Sequence, residues 1–201
     1  MRRLIEDLIA CGEMAVIKKR VDARFELAAV CQTAQRLGER PLLFNDVEGS
    51  NLPVVTNLYG SRRRLCGLIG ADDGLFCQRW AELMNGGGVS TGNEAPVKLA
   101  FEDMTLGQLP QITWQENDVG PYITAGVFLA KHPRTGVPNL SFHRAMHFSD
   151  NELRIRLGTS HDLTSYQLAA EEDRQALEAA ILIGPPPAYV FAAAASIPEN
   201  A

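Results

Sequence analysis

The chain has 201 residues, 46% of them hydrophobic and 21% charged, with a formal net charge of -5. That is enough apolar material for one good core or two modest ones, and too much for a disordered chain. No run approaches the roughly 20 apolar residues of a membrane helix, and the negative charge argues against a nucleic-acid binder that works by neutralising phosphates. Met1-Arg2-Arg3-Leu4-Ile5 meets Glu6-Asp7 within one turn, so the start does not read as a signal peptide and a cytoplasmic location is expected. Cys11, Cys31, Cys66 and Cys77 lie far apart in apolar contexts, which predicts buried, reduced thiols rather than disulfides or zinc ligands.

Taken in chain order, Leu4, Ile5, Leu8 and Ile9 sit at helical spacing, with Gly12 as the stop. A strand is expected over 14–19. Asp22 is then expected to cap a helix whose apolar face is Phe25, Leu27, Ala28, Cys31 and Leu37, closed by Gly38. Pro41 to Phe44 reads as a short buried strand, and Gly49-Ser50-Asn51 turns into another over 53–57. Helical patterns follow over 61–69 and 72–84. Helices alternating with strands predict an α/β layer domain over residues 1–95. Gly86-Gly87-Gly88 and Ser90-Thr91-Gly92-Asn93 mark a break, read as a flexible linker because no phosphate-loop context surrounds the glycines.

The second part, residues 96–201, is richer in strands. These are expected over 123–131, 139–147, 152–157 and 177–183, the middle two forming an antiparallel hairpin through Ser149-Asp150-Asn151. A helix over 165–173 covers them. Gly184-Pro185-Pro186-Pro187 then turns into a short alanine-rich helix. The pattern is that of part of a barrel, giving an α/β (α+β) chain overall.

Chemistry-bearing residues gather from Asn139 to His161. On a strand, Asn139, Ser141 and His143 face one way, while Leu140, Phe142 and Arg144 face the other. Arg144 and Arg156 stand on facing strands and offer planar donors to a carboxylate or phosphate. The plain alternative is a pair of solvated arginines near Asp150 and Glu152. Asn139 with a distant His161 is a weak metal signal taken alone. Residue chemistry by itself says no more than a possible anion site.

The segments Thr124-Ala125-Gly126-Val127 and Pro138-Asn139-Leu140-Ser141-Phe142-His143-Arg144, followed by Ser160-His161, resemble the cofactor motif of the UbiD family of prenylated-FMN-dependent decarboxylases. The likeness extends through Ile183-Gly184-Pro185-Pro186-Pro187-Ala188. It also covers the start, at Leu8 to Ile17, Val21-Asp22, Pro41 to Phe44, Pro53-Val54 and Asn57-Leu58-Tyr59-Gly60. It implies an N-terminal α/β layer domain followed by part of a split β-barrel that binds flavin. By resemblance, Asn139 and His161 match protein ligands of a divalent metal, usually Mn2+, that bridges to the cofactor phosphate. Phe142, His143 and Arg144 match the stretch lining the prenylated FMN, and Arg156, Leu157 and Gly158 a second cofactor contact. Arg144 also matches the arginine of the family's Glu-Arg-Glu catalytic network. Ser196-Ile197-Pro198 resembles a loop approaching the phosphate and a K+ ion.

The resemblance further implies a small carboxylic-acid substrate, aromatic or α,β-unsaturated, and a reversible non-oxidative decarboxylation. It implies a flavin prenyltransferase as supplier of the cofactor and a homo-oligomer for the full-length enzyme. Three features depart from the pattern. The family's third metal ligand is a glutamate beyond the proline matched by Pro198, and Glu199 is out of register with it. The two catalytic glutamates and the C-terminal domain lie further on. Asp162 stands where some members carry a basic residue. The isolated chain is therefore expected to be inactive, with a non-catalytic flavin-binding module or subunit as the alternative. An unrelated FMN oxidoreductase on a split barrel is a third reading.

Overall fold

A computed structural model describes residues 1–85 and 104–195. The expected linker at 86–93, the boundary at 95/96, the Ser196-Ile197-Pro198 loop and Glu199 lie outside the described residues. The first part runs α1 (Arg2–Ala10), β1 (Ala15–Ile17), α2 (Glu26–Gly38), β2 (Leu42–Phe44), β3 (Val54–Thr56), α3 (Arg62–Ile69) and α4 (Phe76–Asn85). Its sheet has the order β1-β2-β3, with β1 parallel to β2 and β2 antiparallel to β3. A parallel pair needs a crossover, and α2 supplies it. The face of α2 that meets the sheet carries Leu27 and Cys31, which join Val21, Leu42, Phe44 and Val47 in the core.

Leu27 and Phe44 are both 0% exposed. Leu27→Ala should therefore cost about 2–5 kcal/mol, the loss for emptying a site that cannot collapse. Denaturant unfolding checks this, and a change within error of zero would contradict the packing.

Two local expectations need correction. Asp22 does not cap α2, which begins at Glu26 after Phe25 takes a φ of 73°. The Asp22 carboxylate instead accepts the Arg24 N–H at 2.7 Å, and Glu26 reaches back to accept the Asp22 N–H at 2.9 Å. A local carboxylate–backbone turn has taken the place of the cap. The cysteines also divide: all four are free, but only Cys31 and Cys66 are buried, whereas Cys11 and Cys77 are exposed. Cys77 lies outside because α4 turns Phe76 and Trp80 toward Phe191 instead.

The second part runs from a 3₁₀ turn (Leu106–Gln108) through β4 (Tyr122–Ile123), β5 (Val127–Lys131), β6 (Pro138–Phe142), β7 (Ala145–Ser149), β8 (Glu152–Ile155), α5 (Asp162–Glu172), β9 (Ala179–Leu182) and α6 (Pro187–Ala194). These strands make two three-stranded antiparallel sheets, β4-β7-β8 and β6-β5-β9. Among the described residues they do not close into a barrel. The single strands expected over 123–131 and 139–147 are each two strands belonging to different sheets. The first changes sheets at Thr124-Ala125-Gly126, where a Cβ on Gly126 would come within 3.1 Å of Ile181 and 3.3 Å of Ile123. The second changes at His143-Arg144.

Helix α5 covers the crossing with Leu163 and Tyr166, which pack with Phe128, Ala130 and Ala145. The two parts are also tied together. Ile112 is buried in the first part's core, where Trp114 packs beside it, and between them Thr113 bridges to Arg24, its N–H donating to the Ala23 carbonyl and its carbonyl accepting the Phe25 N–H. From the far end, Phe191 of α6 packs against Tyr59, Phe76 and Trp80. No helix among the described residues is long and apolar enough to cross a membrane.

Candidate functional site

The register of β6 against β5 places Asn139 opposite Ala130, Ser141 opposite Phe128 and Phe142 opposite Val127. Alternation then puts Asn139, Ser141 and His143 on one face, and their side chains are joined. Asn139 Nδ2 donates to Ser141 Oγ at 3.3 Å, and Ser141 Oγ shares a hydrogen bond with His143 Nε2 at 2.8 Å. His143 is 4% exposed. Its ring meets Phe128 edge-on at 5.4 Å and lies 5.2 Å from the ring of His161. Burial, and then the nearby His161, hold the His143 pKa below its usual value, so the imidazole is neutral at pH 7.

His161 comes to this cluster from the start of α5, where it precedes the first helical turn and its carbonyl accepts the Thr164 N–H at 2.9 Å. Beneath the ring lies Gly158, on which a Cβ would stand 3.2 Å from His161 Cε1 and 3.3 Å from Nε2. Thr164 Oγ1 ties that glycine down by donating to its carbonyl at 2.5 Å. Asn139, Ser141, His143, Gly158 and His161 therefore form one cluster. The ring nitrogens of His161 and the Asn139 Oδ1 have no hydrogen-bond partner among the described residues, so both can ligate.

The remaining expected residues stand apart from that cluster. Phe142 is 38% exposed on the opposite face. Arg144 is exposed, its guanidinium 6.0 Å from the Tyr122 ring centre. Arg144 and Arg156 each lie one residue beyond the terminal β7–β8 pair, Ala145 with Ile155, so they adjoin facing strands rather than standing on them, the pairing having ended one residue earlier. Arg156 is exposed and Leu157 half-buried on the loop that leads to Gly158. Neither arginine forms an ion pair with a carboxylate among the described residues, so the pairing with Asp150 or Glu152 is not seen, while both are solvated as the plain reading has them. The result is a polar face of amide, hydroxyl and imidazole groups on one side of the crossing and a cationic edge on the other.

Sequence reasoning placed Ser141 on the correct face but gave it no role, and missed Phe128, Tyr122 and Thr164. The polar residues at every second position from Asn139 to His143 were the available signal for Ser141. The others arrive from distant segments. A separate open cleft of about 480 Å³, bordered by Arg20, Asp46, Asn51, Met104 and Gln108, includes none of the cluster's residues.

His147 on β7 adds a pH-dependent element. Its Nδ1 pairs with Gln111 at 3.1 Å, Nε2 is buried without a partner among the described residues, and burial pushes its pKa below the usual 6.5. The unfolded chain thus binds this proton more readily than the folded one, and stability should fall as pH drops through about 6.5 toward the depressed folded value. Denaturant unfolding at a series of pH values should show a shallower slope for His147→Gln. An unchanged slope would refute the assignment.

Comparison with known proteins gives a consistent picture. The family model described as "3-octaprenyl-4-hydroxybenzoate carboxy-lyase Rift-related domain" (UbiD) matches residues 89–201, and the corresponding N-terminal domain matches residues 5–84. The chain is 33% identical over 207 residues to the anhydromevalonate phosphate decarboxylase of Methanothermobacter thermautotrophicus, covering 100% of this chain and 46% of that protein. The UbiD-class enzyme HmfF from Pelotomaculum thermopropionicum, solved in complex with FMN, superposes with a TM-score of 0.88 at 31% identity, covering 100% of this chain and 46% of that one. An evolved dimeric form of the same enzyme, solved with prFMN, gives a TM-score of 0.87 at 32% identity over 98% of this chain and 47% of that one. The chain thus spans less than half the length of these relatives.

Proposed function

The chain belongs to the UbiD carboxy-lyase family, and from that premise we propose that it forms the cofactor-binding part of a non-oxidative decarboxylase using prenylated FMN. The substrate is an aromatic or α,β-unsaturated carboxylic acid. The observation that carries this reading is the Asn139–Ser141–His143–His161 cluster, with Arg144 on the other side of the crossing and Arg156 just beyond β8, neither ion-paired among the described residues. HmfF, which shares the fold, binds FMN and prFMN.

The donor set fits one edge of a Mn2+ site. Asn139 offers an amide oxygen and His161 an imidazole nitrogen, both types that manganese accepts. Among the described residues no group of three or more His, Cys, Asp or Glu side chains could hold a metal. Asn139 and His161 would hold the ion, which would supply positive charge for the phosphate end of the flavin. Phe142 at the end of β6 and His143 just after it, on opposite faces, would border the flavin, with Arg156, Leu157 and Gly158 contacting it from the loop after β8.

Prenylated FMN, when bound, supplies the electron sink for the pair left behind as carbon dioxide departs, which no ordinary side chain can delocalise. The role of this chain is to hold and orient. Arg144 presents parallel N–H groups to the substrate carboxylate and fixes the angle of the breaking C–C bond. His143, buried and neutral, adds no positive charge to compete with Arg144 for that carboxylate. Proton return to carbon requires an acid, and no carboxylate pairs with Arg144 among the described residues.

Native mass spectrometry of the chain co-expressed with a flavin prenyltransferase tests the reading. A complex carrying prenylated FMN and a divalent ion is expected, and assay with the remainder of the polypeptide then separates a decarboxylase from a non-catalytic module. A chain that takes up neither flavin nor metal in any context would overturn the proposal.

A further inference from the structure

We infer that Ser141 and His143 are positioning residues that fix which end of the Asn139 amide faces the cation, an inference that rests on the metal-binding reading above. A serine hydroxyl has one proton to give and lone pairs to receive with. Asn139 Nδ2 donates to Ser141 Oγ at 3.3 Å, and the relay is completed when Ser141 gives its proton to its other neighbour, His143 Nε2, at 2.8 Å. His143 is then the Nδ1–H tautomer, with Nε2 accepting.

The polarity of the relay follows the His143 tautomer. With Nε2 accepting, it runs from the Asn139 amide through the Ser141 hydroxyl into the imidazole and leaves Asn139 Oδ1 free. An amide turned the other way would aim its NH2 at the cation, and its oxygen would receive the Ser141 proton only with His143 as the Nε2–H tautomer donating to Ser141. The acceptor at the end of the relay is locked in place, since His143 is 4% exposed and wedged edge-on against Phe128 at 5.4 Å. The strand pairing of Asn139 with Ala130 and Ser141 with Phe128 fixes the backbone below. Partners of this kind, one bond removed from a metal, set the orientation of the ligands they touch.

Two measurements test the relay. Imidazole 15N–1H spectra of the metal-free protein should show His143 as the Nδ1–H tautomer; the Nε2–H tautomer overturns the relay whether or not metal binds. Mn2+ titration with FMN present, followed by the free-ion electron paramagnetic resonance signal, should show binding weakened roughly tenfold or more in Ser141→Ala. Ser141→Thr, which keeps the hydroxyl, should stay within about threefold of the parent. A threonine variant that falls as far as alanine assigns the loss to packing and overturns the relay. Asn139→Ala separates the two readings. Binding lost there but intact in Ser141→Ala overturns the relay alone, whereas binding intact in both overturns the ligand assignment with it.

Discussion

Arg144→Ala in the natural protein carrying this sequence should lose decarboxylation by roughly 10²–10³-fold or more in kcat/KM, the scale seen when a preorganised donor is removed from a reacting group. Flavin should remain bound in part. The expectation follows from position: Arg144 lies on the opposite face from the Asn139–His143 relay, is exposed, and has no carboxylate partner among the described residues that would use up its donors. Among the described residues its guanidinium stands over the Tyr122 ring, 6.0 Å from the ring centre, which leaves the guanidinium edge open. Arg144→Lys should recover little, because an ammonium cannot reproduce two parallel N–H bonds. Steady-state kinetics with flavin occupancy measured alongside checks both variants. Near-normal turnover in the alanine variant would remove Arg144 from the site.

His161→Ala should have the second large effect, on metal rather than on turnover as such. Removing a direct donor should weaken Mn2+ by more than the roughly 10–100-fold that follows changes one bond further out, and flavin retention should fall with it. Asn139→Ala should act in the same direction. His161 carries little of the fold's stability: it is exposed, and the cluster's buried atoms belong to His143, Phe128 and Leu163. The melting temperature of the metal-free variant should therefore stay close to the parent value while metal content drops. Unchanged manganese and flavin content, measured by elemental analysis and absorbance, would contradict the ligand assignment.

Much of the local structure was legible in the sequence. Strands at 42–44 and 54–56 and the helix after Gly184-Pro185-Pro186 all stand close to where apolar spacing and turn residues put them. The shared face of Asn139, Ser141 and His143 followed from alternation alone. The exchange of strands between sheets at His143-Arg144 was not legible, for a physical reason. Side chains go on alternating through the crossing, with Ala145 fully buried two residues after His143, so the pattern gives no sign that the pairing partner has changed. The arrival of Ile112 and Trp114 in the first core, and of Phe191 against Tyr59 and Trp80, was equally hidden, because such contacts join segments far apart in the chain. The start of α2 was misplaced because Asp22 has two competing uses for its carboxylate, and the local turn won.

The crossing at His143-Arg144 also governs how this region can change in length. Because the two faces differ by one residue of parity, a single insertion or deletion between Asn139 and Arg144 would exchange them, sending the guanidinium to the amide side and breaking the relay at once. The β5–β6 turn, where Gly136 has a φ of 72° and the His132 and Val137 backbones close the loop, has no such constraint. Length variation among natural variants should therefore collect at 132–137 and be absent from 139–144, and a library of one-residue insertions would show the same division.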